Sequence, residues 1–190
     1  AMPEGPRRKE LMALKASIYK AELQISDMDR NYYQSHPLTI ARHPSENEER
    51  MMVRLLAFIR HADERLSFTK GISTDDEPDI WLLSLSGEIE CWIELGQPDE
   101  KRIRKACGRA REVYIYLYSG HGAEIWWEQM AQKLSPINNL HIYNLPANQR
   151  EQLSQMVQKN MALQATIQDE EIWLSSGELS ATINLQCWKE

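Results

Sequence analysis

The chain has 190 residues, of which 42% are hydrophobic and 26% are charged, and these values suit one globular domain and exclude a chain too polar to fold. No apolar run approaches the roughly 18 residues needed to cross a membrane. The net charge of −6 excludes a broadly basic surface built for phosphate contacts, although it leaves a local basic cluster open. The three cysteines lack metal-site spacing, so we expect reduced thiols and a cytoplasmic protein.

The N-terminal stretch and the first periodic stretch differ in pattern. Residues 1–11 show no periodicity, and Met12 resembles a natural start. We therefore interpret residues 1–11 as a tag or disordered leader and residues 12–190 as a single domain. Within residues 15–26, apolar side chains alternate with Lys, Glu and Gln, which predicts a strand with one face in water. A turn and a short extended piece at residues 37–44 follow.

Residues 45–64 predict a helix whose first turn carries a capping box formed by Ser45 and Glu48. Glu49 has no capping role and lies near the apolar stripe. Periodicity leaves two interpretations open for this carboxylate: it lies at the edge of the stripe and reaches solvent, or it belongs to a site. The predicted buried stripe consists of Met52, Leu55, Leu56 and Ile59.

Residues 78–98 predict a β-hairpin, because two apolar runs flank a Ser86-Gly87 turn. If the turn has two residues, Asp79 and Glu94 lie directly opposite each other on one face. The pairs counted from such a turn are Leu85 with Glu88, Leu83 with Glu90, Trp81 with Trp92, and Asp79 with Glu94. A longer turn would keep the two acids near each other but loosen the register.

Opposed carboxylates are unfavourable in a hairpin unless something lies between them. The β-carbons of directly opposed residues are roughly 4.5–5.5 Å apart, and like charges at that distance destabilise the pair. A divalent cation between Asp79 and Glu94 would turn repulsion into attraction, because hard cations bind carboxylate oxygens. The alternative is that the strand ends fray and water solvates both acids. The strand pairing alone does not favour either interpretation over the other.

A strongly basic helix is predicted directly after the hairpin, with Pro98 as a favoured first-turn residue. Such a charged helix face is usually just solvated. This helix, however, leaves the strand that carries Glu94, so its first turn begins near the acids. Six basic residues occur in eleven positions: Lys101, Arg102, Arg104, Lys105, Arg109 and Arg111.

The remaining chain predicts the sheet order. Residues 112–158 alternate strand, helix, strand, helix, which favours parallel pairing through crossover connections. Residues 161–188 contain three short apolar runs separated by turns, which predict an antiparallel meander. We therefore predict an α/β (α+β) fold: a single domain with one mixed β-sheet and flanking helices.

Several long stretches are highly specific: "LTIARHPSENEERMMVRLLAFIRHADERLSFTKGISTDDEPDIW", "CWIELGQPDEKRIRKAC" and "ALQATIQDEEIWLS". They resemble the YaeQ family of bacterial proteins, and the similarity runs from about Met12 to the C-terminus. This family is described as a variant of the PD-(D/E)XK nuclease-like superfamily. The resemblance implies a restriction-endonuclease-like core of a helix, a β-meander, a second helix and a parallel strand. It also implies a site that binds magnesium and cleaves phosphodiester bonds.

The resemblance assigns three acids to the implied site. Pro78-Asp79 matches the PD element of the motif, and Glu94 matches its (D/E) position on the next strand. The acid that the first helix often supplies corresponds to Glu49. These three carboxylates are the predicted ligands of Mg²⁺ or Mn²⁺.

The implied site departs from the motif at Gly96, where the superfamily has lysine. A lysine displaced onto the following helix could take its place, with Lys105 as the first choice and Lys101 as the second. Gln97 could also reach the site. Several branches of the superfamily have lost this lysine, so the resemblance also fits a member that does not catalyse a reaction.

Two functions from different classes follow from these features. The first is an Mg²⁺-dependent phosphodiesterase or nuclease whose nucleic-acid backbone is guided by Arg102, Arg104 and Arg109. The alternative is a non-catalytic protein that binds nucleic acid or the transcription machinery, which the acidic balance and missing lysine favour. A third interpretation is that the acids only aid solubility. We expect nucleic acid but no membrane as a partner, and we leave the oligomeric state open, with a monomer as the simplest case.

Overall fold

Two mixed β-sheets form the fold, and a computed structural model describes them through residues 15–70 and 76–190. The predicted leader, residues 1–11, lies outside the described residues. The prediction of a single α+β domain is confirmed, but the prediction of one sheet is wrong. The first sheet has the spatial order β10-β9-β8-β1-β2, formed by β1 (Ser17–Asp27), β2 (Tyr32–Arg42), β8 (Asn160–Gln168), β9 (Glu171–Ser176) and β10 (Leu179–Ile183).

The five-stranded sheet has one buried and one exposed face, as the alternation in β1 predicts. Tyr19, Ala21, Leu23 and Ile25 are buried, whereas the residues between them face solvent. β1 pairs with β2 in antiparallel and with β8 in parallel orientation. The extended piece predicted at residues 37–44 is the second half of β2, which begins much earlier because the whole of β1 offers it a partner.

The first helix of the described chain, α1 (Glu48–Arg60), lies between the two sheets. Its buried surface is wider than the predicted stripe, because the nine consecutive residues Met51–Ile59 are all buried. A helix that is buried all round must be covered on every side, and here both sheets and a later helix cover it. Fully burying one of its large apolar side chains contributes about 1.5–3 kcal/mol.

The predicted capping box at the start of α1 is wrong. Asn47 caps the helix, since its side-chain oxygen accepts a hydrogen bond from the Arg50 backbone N–H at 2.8 Å. The Ser45 hydroxyl lies 2.6 Å from Nδ1 of His43 instead. Asparagine and serine cap helices about equally well, so a cap at Asn47 satisfies the first turn as well as the predicted serine would.

The second sheet has the spatial order β11-β7-β6-β5-β4-β3. Its central strands β5, β6 and β7 are parallel, which confirms the predicted strand–helix alternation. Its strands are β3 (Leu66–Phe68), β4 (Ile80–Leu83), β5 (Ile89–Leu95), β6 (Ala110–Leu117), β7 (Leu140–Asn144) and β11 (Gln186–Lys189). The remaining helices are α2 (Glu100–Arg109), α3 (His121–Leu134) and α4 (Ala147–Ser154).

Both faces of the six-stranded sheet are covered, which gives four layers. One face packs on α1 and α4, and the other packs on α2 and α3 around a second apolar core. The strands β5 to β7 therefore read as nearly continuous apolar runs. This second core includes Trp92, Ile103, Val113, Ile115, Trp126 and Leu140.

The C-terminal meander differs from the prediction in its last strand. β8, β9 and β10 form the predicted antiparallel arrangement, but β10 ends at Ile183. The chain then crosses to the other sheet, where β11 pairs with β7. Apolar alternation is the same on either side of this crossing, so the sequence pattern alone indicates one strand where there are two.

Within the described residues, no helix is long and apolar enough to span a membrane. Cys91, Cys107 and Cys187 are free thiols, as predicted. The cytoplasmic location stays a prediction.

Candidate functional site

The candidate site begins at the β4–β5 hairpin, whose turn is longer than predicted. The Gly87 N–H donates to the Ser84 carbonyl at 3.0 Å, and Gly87 has a φ of 86°, so three residues form the loop. The predicted pairs near the turn, Leu85 with Glu88 and Leu83 with Glu90, are therefore wrong. Leu83 pairs with Ile89 instead.

A register shift after this pair restores the predicted register toward the open end of the hairpin. Ile80 pairs with Ile93 and Trp81 with Trp92, as predicted. One further step places Asp79 opposite Glu94, and the Asp79 N–H donates to the carbonyl of Ile93 at 3.1 Å. The two acids do not fray into solvent, because their exposed fractions are only 6% and 5%.

Asp79 accepts hydrogen bonds through both carboxylate oxygens. Arg50, in the first turn of α1, donates to Oδ1 at 2.9 Å. The backbone N–H of Leu95 donates to Oδ2, also at 2.9 Å. Asp79 thus joins the start of α1 to the end of β5.

Glu94 is held by the basic helix α2. Arg102 donates Nε to Oε2 at 2.8 Å and forms an ion pair with Oε1 at 2.8 Å, while the Trp92 indole N–H donates to Oε1 at 3.2 Å. Burial raises the pKa of Glu94 above its usual value, Arg102 opposes this shift, and the nearby charge of Asp79 adds to it. The two carboxylates are therefore close enough to affect each other's charge.

A second buried carboxylate supports Arg50 from the other side. Glu46, 3% exposed, accepts from Arg50 at 2.6 Å and from Nη2 of Arg54 at 2.7 Å. Burial would lower the pKa of Arg50, but Asp79, Tyr118 and Glu46 raise it above its usual value. Arg50 therefore stays charged and is fixed between two acids.

Asp79, Glu94, Arg50 and Arg102 border an open cavity of about 210 Å³, called here the carboxylate cavity. Two arginines and three acids line it, which gives the lining a formal charge of −1. Arg50 and Asp79 also line a smaller cavity of about 120 Å³, and Arg102 also lines one of about 290 Å³ on α2. The lining residues are Arg50, Glu77, Pro78, Asp79, Glu94, Leu95, Gln97, Pro98 and Arg102.

A family model with the description YaeQ protein matches residues 12–185. The chain belongs to the YaeQ family. Relatives from Salmonella typhi and Escherichia coli K12, both named "Uncharacterized protein YaeQ", are 50% and 49% identical over 179 residues. These matches cover 94% of this chain and 99% of each relative.

Crystal structures of YaeQ proteins share the fold. The protein from Xanthomonas axonopodis pv. citri is 45% identical and superimposes with a TM-score of 0.89 over 92% of this chain and 98% of its own. The protein from Pseudomonas syringae is 32% identical, with a TM-score of 0.88 over 92% and 97% of the two chains.

The structure brings together only part of the site implied by the family resemblance. Asp79, Glu94 and Gln97 line the cavity, but Glu49 does not. The Glu49 carboxylate instead pairs with Arg150 at 3.1 Å, on the side of α1 that faces α4. One helical residue is turned by about 100° from the next, so Glu49 and Arg50 cannot both point at Asp79.

The two predicted lysines lie outside the carboxylate cavity. Lys101 and Lys105 line the neighbouring cavity on α2, which shares Arg102 with the carboxylate cavity. Lys105 is exposed and lies 3.3 Å from Asp76. The basic groups that line the carboxylate cavity are thus arginines, and the catalytic role of either lysine stays a prediction.

The three predicted nucleic-acid-binding arginines point in different directions. Arg102 holds Glu94, whereas Arg104 pairs with Glu100 at 3.1 Å and donates to the Lys133 carbonyl at 3.0 Å. Arg109 lies over the Trp92 ring at 5.3 Å from its centroid. Only Arg102 reaches the cavity.

The sequence prediction missed three residues of this network: Glu46, Arg50 and Arg54. Their spacing of four residues places them on one side of the helix start, where opposite charges can pair. The signal was present, but a ladder of alternating charge is also typical of a solvated helix face.

A metal site formed by protein ligands alone is not seen in the described part of the chain, where no group of three His, Cys, Asp or Glu side chains could hold an ion. Asp79 and Glu94 still offer hard oxygen donors, because a carboxylate oxygen has two lone pairs and three of the four oxygens are each described with one donor, whereas Oε1 of Glu94 has two. Mg²⁺ is commonly bound by one or two carboxylates, with water and substrate phosphate completing its shell. The donor set and the negative lining therefore fit such an ion.

Proposed function

We propose that this protein is a divalent-cation-dependent phosphodiesterase that acts on nucleic acid at the carboxylate cavity. The observation that carries the proposal is the burial of Asp79 and Glu94 side by side on one open cavity. Two acids at neighbouring positions on paired strands are unfavourable for the fold. Buried carboxylates of this kind cluster at functional sites.

The order of elements supports a restriction-endonuclease-like core. The superfamily implied by the resemblance has a helix, a β-meander, a second helix and a parallel strand. Here α1 is followed by the antiparallel strands β3, β4 and β5, then by α2 and by β6, which is parallel to β5. In this proposal, Asp79, directly before β4, and Glu94, in β5, correspond to the two acidic positions of the motif in that order.

The cation would be Mg²⁺ or Mn²⁺, held by the Asp79 and Glu94 carboxylates. When bound, such an ion supplies Lewis-acid stabilisation of a phosphate oxygen and a water more acidic than bulk water. The two carboxylates fix its place, and the Leu95 N–H holds the orientation of Asp79.

Arg50 and Arg102 are the phosphate-binding groups of the proposed site. Guanidinium groups bind phosphate oxygens in a two-pronged geometry, and charge growing on those oxygens strengthens the contact. Both arginines line the cavity and reach it from different helices. They can thus contact two sides of one phosphate group and take over part of the role of the missing lysine.

Gln97 is the remaining polar side chain that lines the cavity. Its amide donates to the Ser119 hydroxyl at 2.6 Å, which fixes its direction. An amide can orient a water or a phosphate oxygen but cannot supply a positive charge. The second cavity, on α2, would receive the adjoining backbone beside Lys101 and Lys105.

A second candidate function is non-catalytic binding of nucleic acid or of the transcription machinery. It is favoured because among the described residues no lysine lines the carboxylate cavity and both central carboxylates already pair with arginines. In that case the arginines would bind the partner and the acids would only position them.

Calorimetric titration with MnCl₂ tests the metal site. We expect the wild type to bind one ion, Asp79→Asn and Glu94→Gln to lose this binding, and Glu88→Gln, an exposed acid at the turn of the same hairpin, to retain it. Equal binding by the wild type and Glu94→Gln would remove the proposed site. Weaker binding by Glu49→Gln would restore the third predicted ligand.

Cleavage assays on single- and double-stranded DNA and RNA separate the two functions. We expect turnover that needs Mg²⁺ or Mn²⁺ and is lost in Glu94→Gln. Binding of intact nucleic acid without turnover, unchanged by a chelator, would instead support the non-catalytic function.

A further inference from the structure

The outer face of the five-stranded sheet carries a second concave surface, unrelated to the carboxylate cavity. It is a groove of about 330 Å³ that crosses β2, β1, β8 and β9, on the side of the sheet that faces away from α1. The side chains that form it are mostly exposed. The residues that line it include Glu22, Gln24, Ser35, Ala162, Gln164, Ser175 and Gly177.

A straight row of uncharged hydrogen-bonding side chains crosses the groove. The strand registers place Ser35 beside Gln24, Gln24 beside Gln164, and Gln164 beside Ser175. Each glutamine amide offers two donors and one acceptor, and each serine hydroxyl offers one donor and two lone pairs. Ala162 and Gly177 are small, so they leave space next to the row.

Two exposed aromatic rings stand in the next row of the same face. Tyr33 is 54% exposed and Trp173 is 40% exposed. The registers connect them through Ser26 and Thr166, so they lie three strand spacings apart. This corresponds to about 14 Å at the usual strand separation of about 4.8 Å.

The charge of the groove selects among polar ligands. Among the described residues that line it there is one carboxylate, Glu22, and no lysine or arginine. A phosphate-bearing or otherwise anionic ligand would find no counter-charge and would be repelled by Glu22 and by the net charge of −6. A neutral ligand rich in hydroxyl groups matches the amides and hydroxyls of the row.

We propose that this groove binds a neutral oligosaccharide of two or three sugar units. Its hydroxyl groups would bond to Gln24, Gln164 and the serines, and its apolar C–H faces would pack on Trp173 and Tyr33. Flat aromatic rings give a large contact area at low entropic cost, which suits a shallow surface. The two rings are separated by three strand spacings, so a ligand longer than a single sugar is needed to contact both of them.

This site is independent of the proposed phosphodiesterase. The groove and the carboxylate cavity share no lining residue. Failure of one proposal therefore leaves the other intact, and Glu94→Gln should bind saccharide as the wild type does.

Nuclear magnetic resonance of the ¹⁵N-labelled full chain tests the proposal, with maltotriose, cellotriose and chitotriose as probes. We expect at least one trisaccharide to shift the side-chain amide signals of Gln24 and Gln164 and the indole signal of Trp173. Trp173→Ala and Gln164→Ala should each weaken binding about tenfold, which is the change in Kd that corresponds to a loss of about 1.4 kcal/mol. Leu85→Ala, at an exposed residue in the distant hairpin turn, is the matched control and should bind normally.

Two results would overturn the proposal. One is the absence of shifts at these three side chains with all three trisaccharides at millimolar concentration, which would show an ordinary solvated sheet face. The other is that an oligothymidylate shifts the same signals more strongly than any trisaccharide, which would assign the face to single-stranded nucleic acid.

Discussion

The carboxylate cavity and the outer groove are both built on β-sheets, yet their polar side chains differ in burial and in charge pairing. In the cavity, Asp79 and Glu94 are nearly buried, and each has an arginine partner. In the groove, Gln24 and Gln164 are exposed and uncharged. The difference follows from what covers each sheet: helices cover both faces of the six-stranded sheet, whereas water covers one face of the five-stranded sheet.

This contrast predicts in which region the removal of a polar side chain lowers the free energy of unfolding and in which it does not. A charge without solvent needs a partner, and removing that partner is expensive. A polar side chain in water loses little when it is shortened. The two regions should therefore respond very differently to substitution, and the size of the response ranks the residues.

The largest effect should come from Glu46→Ala. This substitution leaves Arg54 and Arg50, whose side chains are 7% and 13% exposed, without their shared carboxylate. We expect a loss of about 3–5 kcal/mol in the free energy of unfolding, measured by urea denaturation. Glu22→Ala in the groove is the control and should stay within about 0.5 kcal/mol of the wild type. Equal losses in the two variants would contradict the expected difference between the buried ion pairs and the exposed groove.

A smaller loss should follow from Asp79→Asn. The amide keeps an acceptor for the Leu95 N–H but loses the charge that pairs with Arg50, so we expect about 1–3 kcal/mol in the same denaturation experiment. Asp76→Asn is the control, since the Asp76 side chain is 82% exposed. If Asp79→Asn unfolds at the wild-type urea concentration, the Arg50 pair adds nothing to stability.

Glu94→Gln should change how the free energy of unfolding depends on pH. The wild-type carboxylate makes the protein less stable as the pH rises, whereas an acid whose pKa is lowered by an ion pair has the opposite effect. Burial raises the pKa of Glu94 above 4.5, so just above that pH the folded protein keeps a proton that the unfolded chain has released. The stability of the wild type therefore falls as the pH rises through this window. The variant does not show this fall, because glutamine has no proton to release. We expect the free energy of unfolding of the variant to increase relative to that of the wild type as the pH rises above 4.5. Urea denaturation at several pH values measures it, and a constant difference would contradict the shifted pKa.

The smallest effect on folding should come from the groove. Gln24→Ala and Gln164→Ala remove exposed side chains, so each should change the free energy of unfolding by less than about 0.5 kcal/mol. Thermal unfolding compared with the wild type measures this. A large loss in either variant would mean that the row of amides serves the sheet and not a ligand.

Local patterns were sufficient to predict the hairpin and its acids. Trp81 and Trp92 pair as predicted, and Asp79 lies opposite Glu94, because two features that the prediction lacked compensate for each other. The loop has one residue more than expected, and the register shift after Leu83 compensates for it. Alternation specifies which residues share a face, and it is insensitive to where the extra residue lies.

The partners of the two acids could not be predicted in the same way. Whether Glu49 or Arg50 points at Asp79 depends on the rotation of α1, and that rotation is set by packing on all sides of the helix. A helix buried all round has no single apolar stripe, so the pattern does not fix which side faces the cavity. The same limit applies to the lysines, since α2 is aligned by the burial of Ile103 and Ala106 and not by its charges.

The division of the strands into two sheets could not be predicted from the sequence pattern either. β1 and β8 carry the alternation of half-buried strands, but nothing in that alternation says that they pair with each other. Period-2 patterns predict faces and leave partners open.

The parallel pairing of β1 with β8 has a consequence for the order in which the chain can fold. Lys20 pairs with Asn160, so the five-stranded sheet cannot close until the more than 110 residues between β2 and β8, and β8 itself, have left the ribosome. The hairpin of β1 and β2 must wait with its apolar face uncovered, while β3 to β7 already have neighbours close by in the chain. Long-range pairing of this kind slows folding, and a nascent chain stalled before β8 would be the form most prone to aggregate.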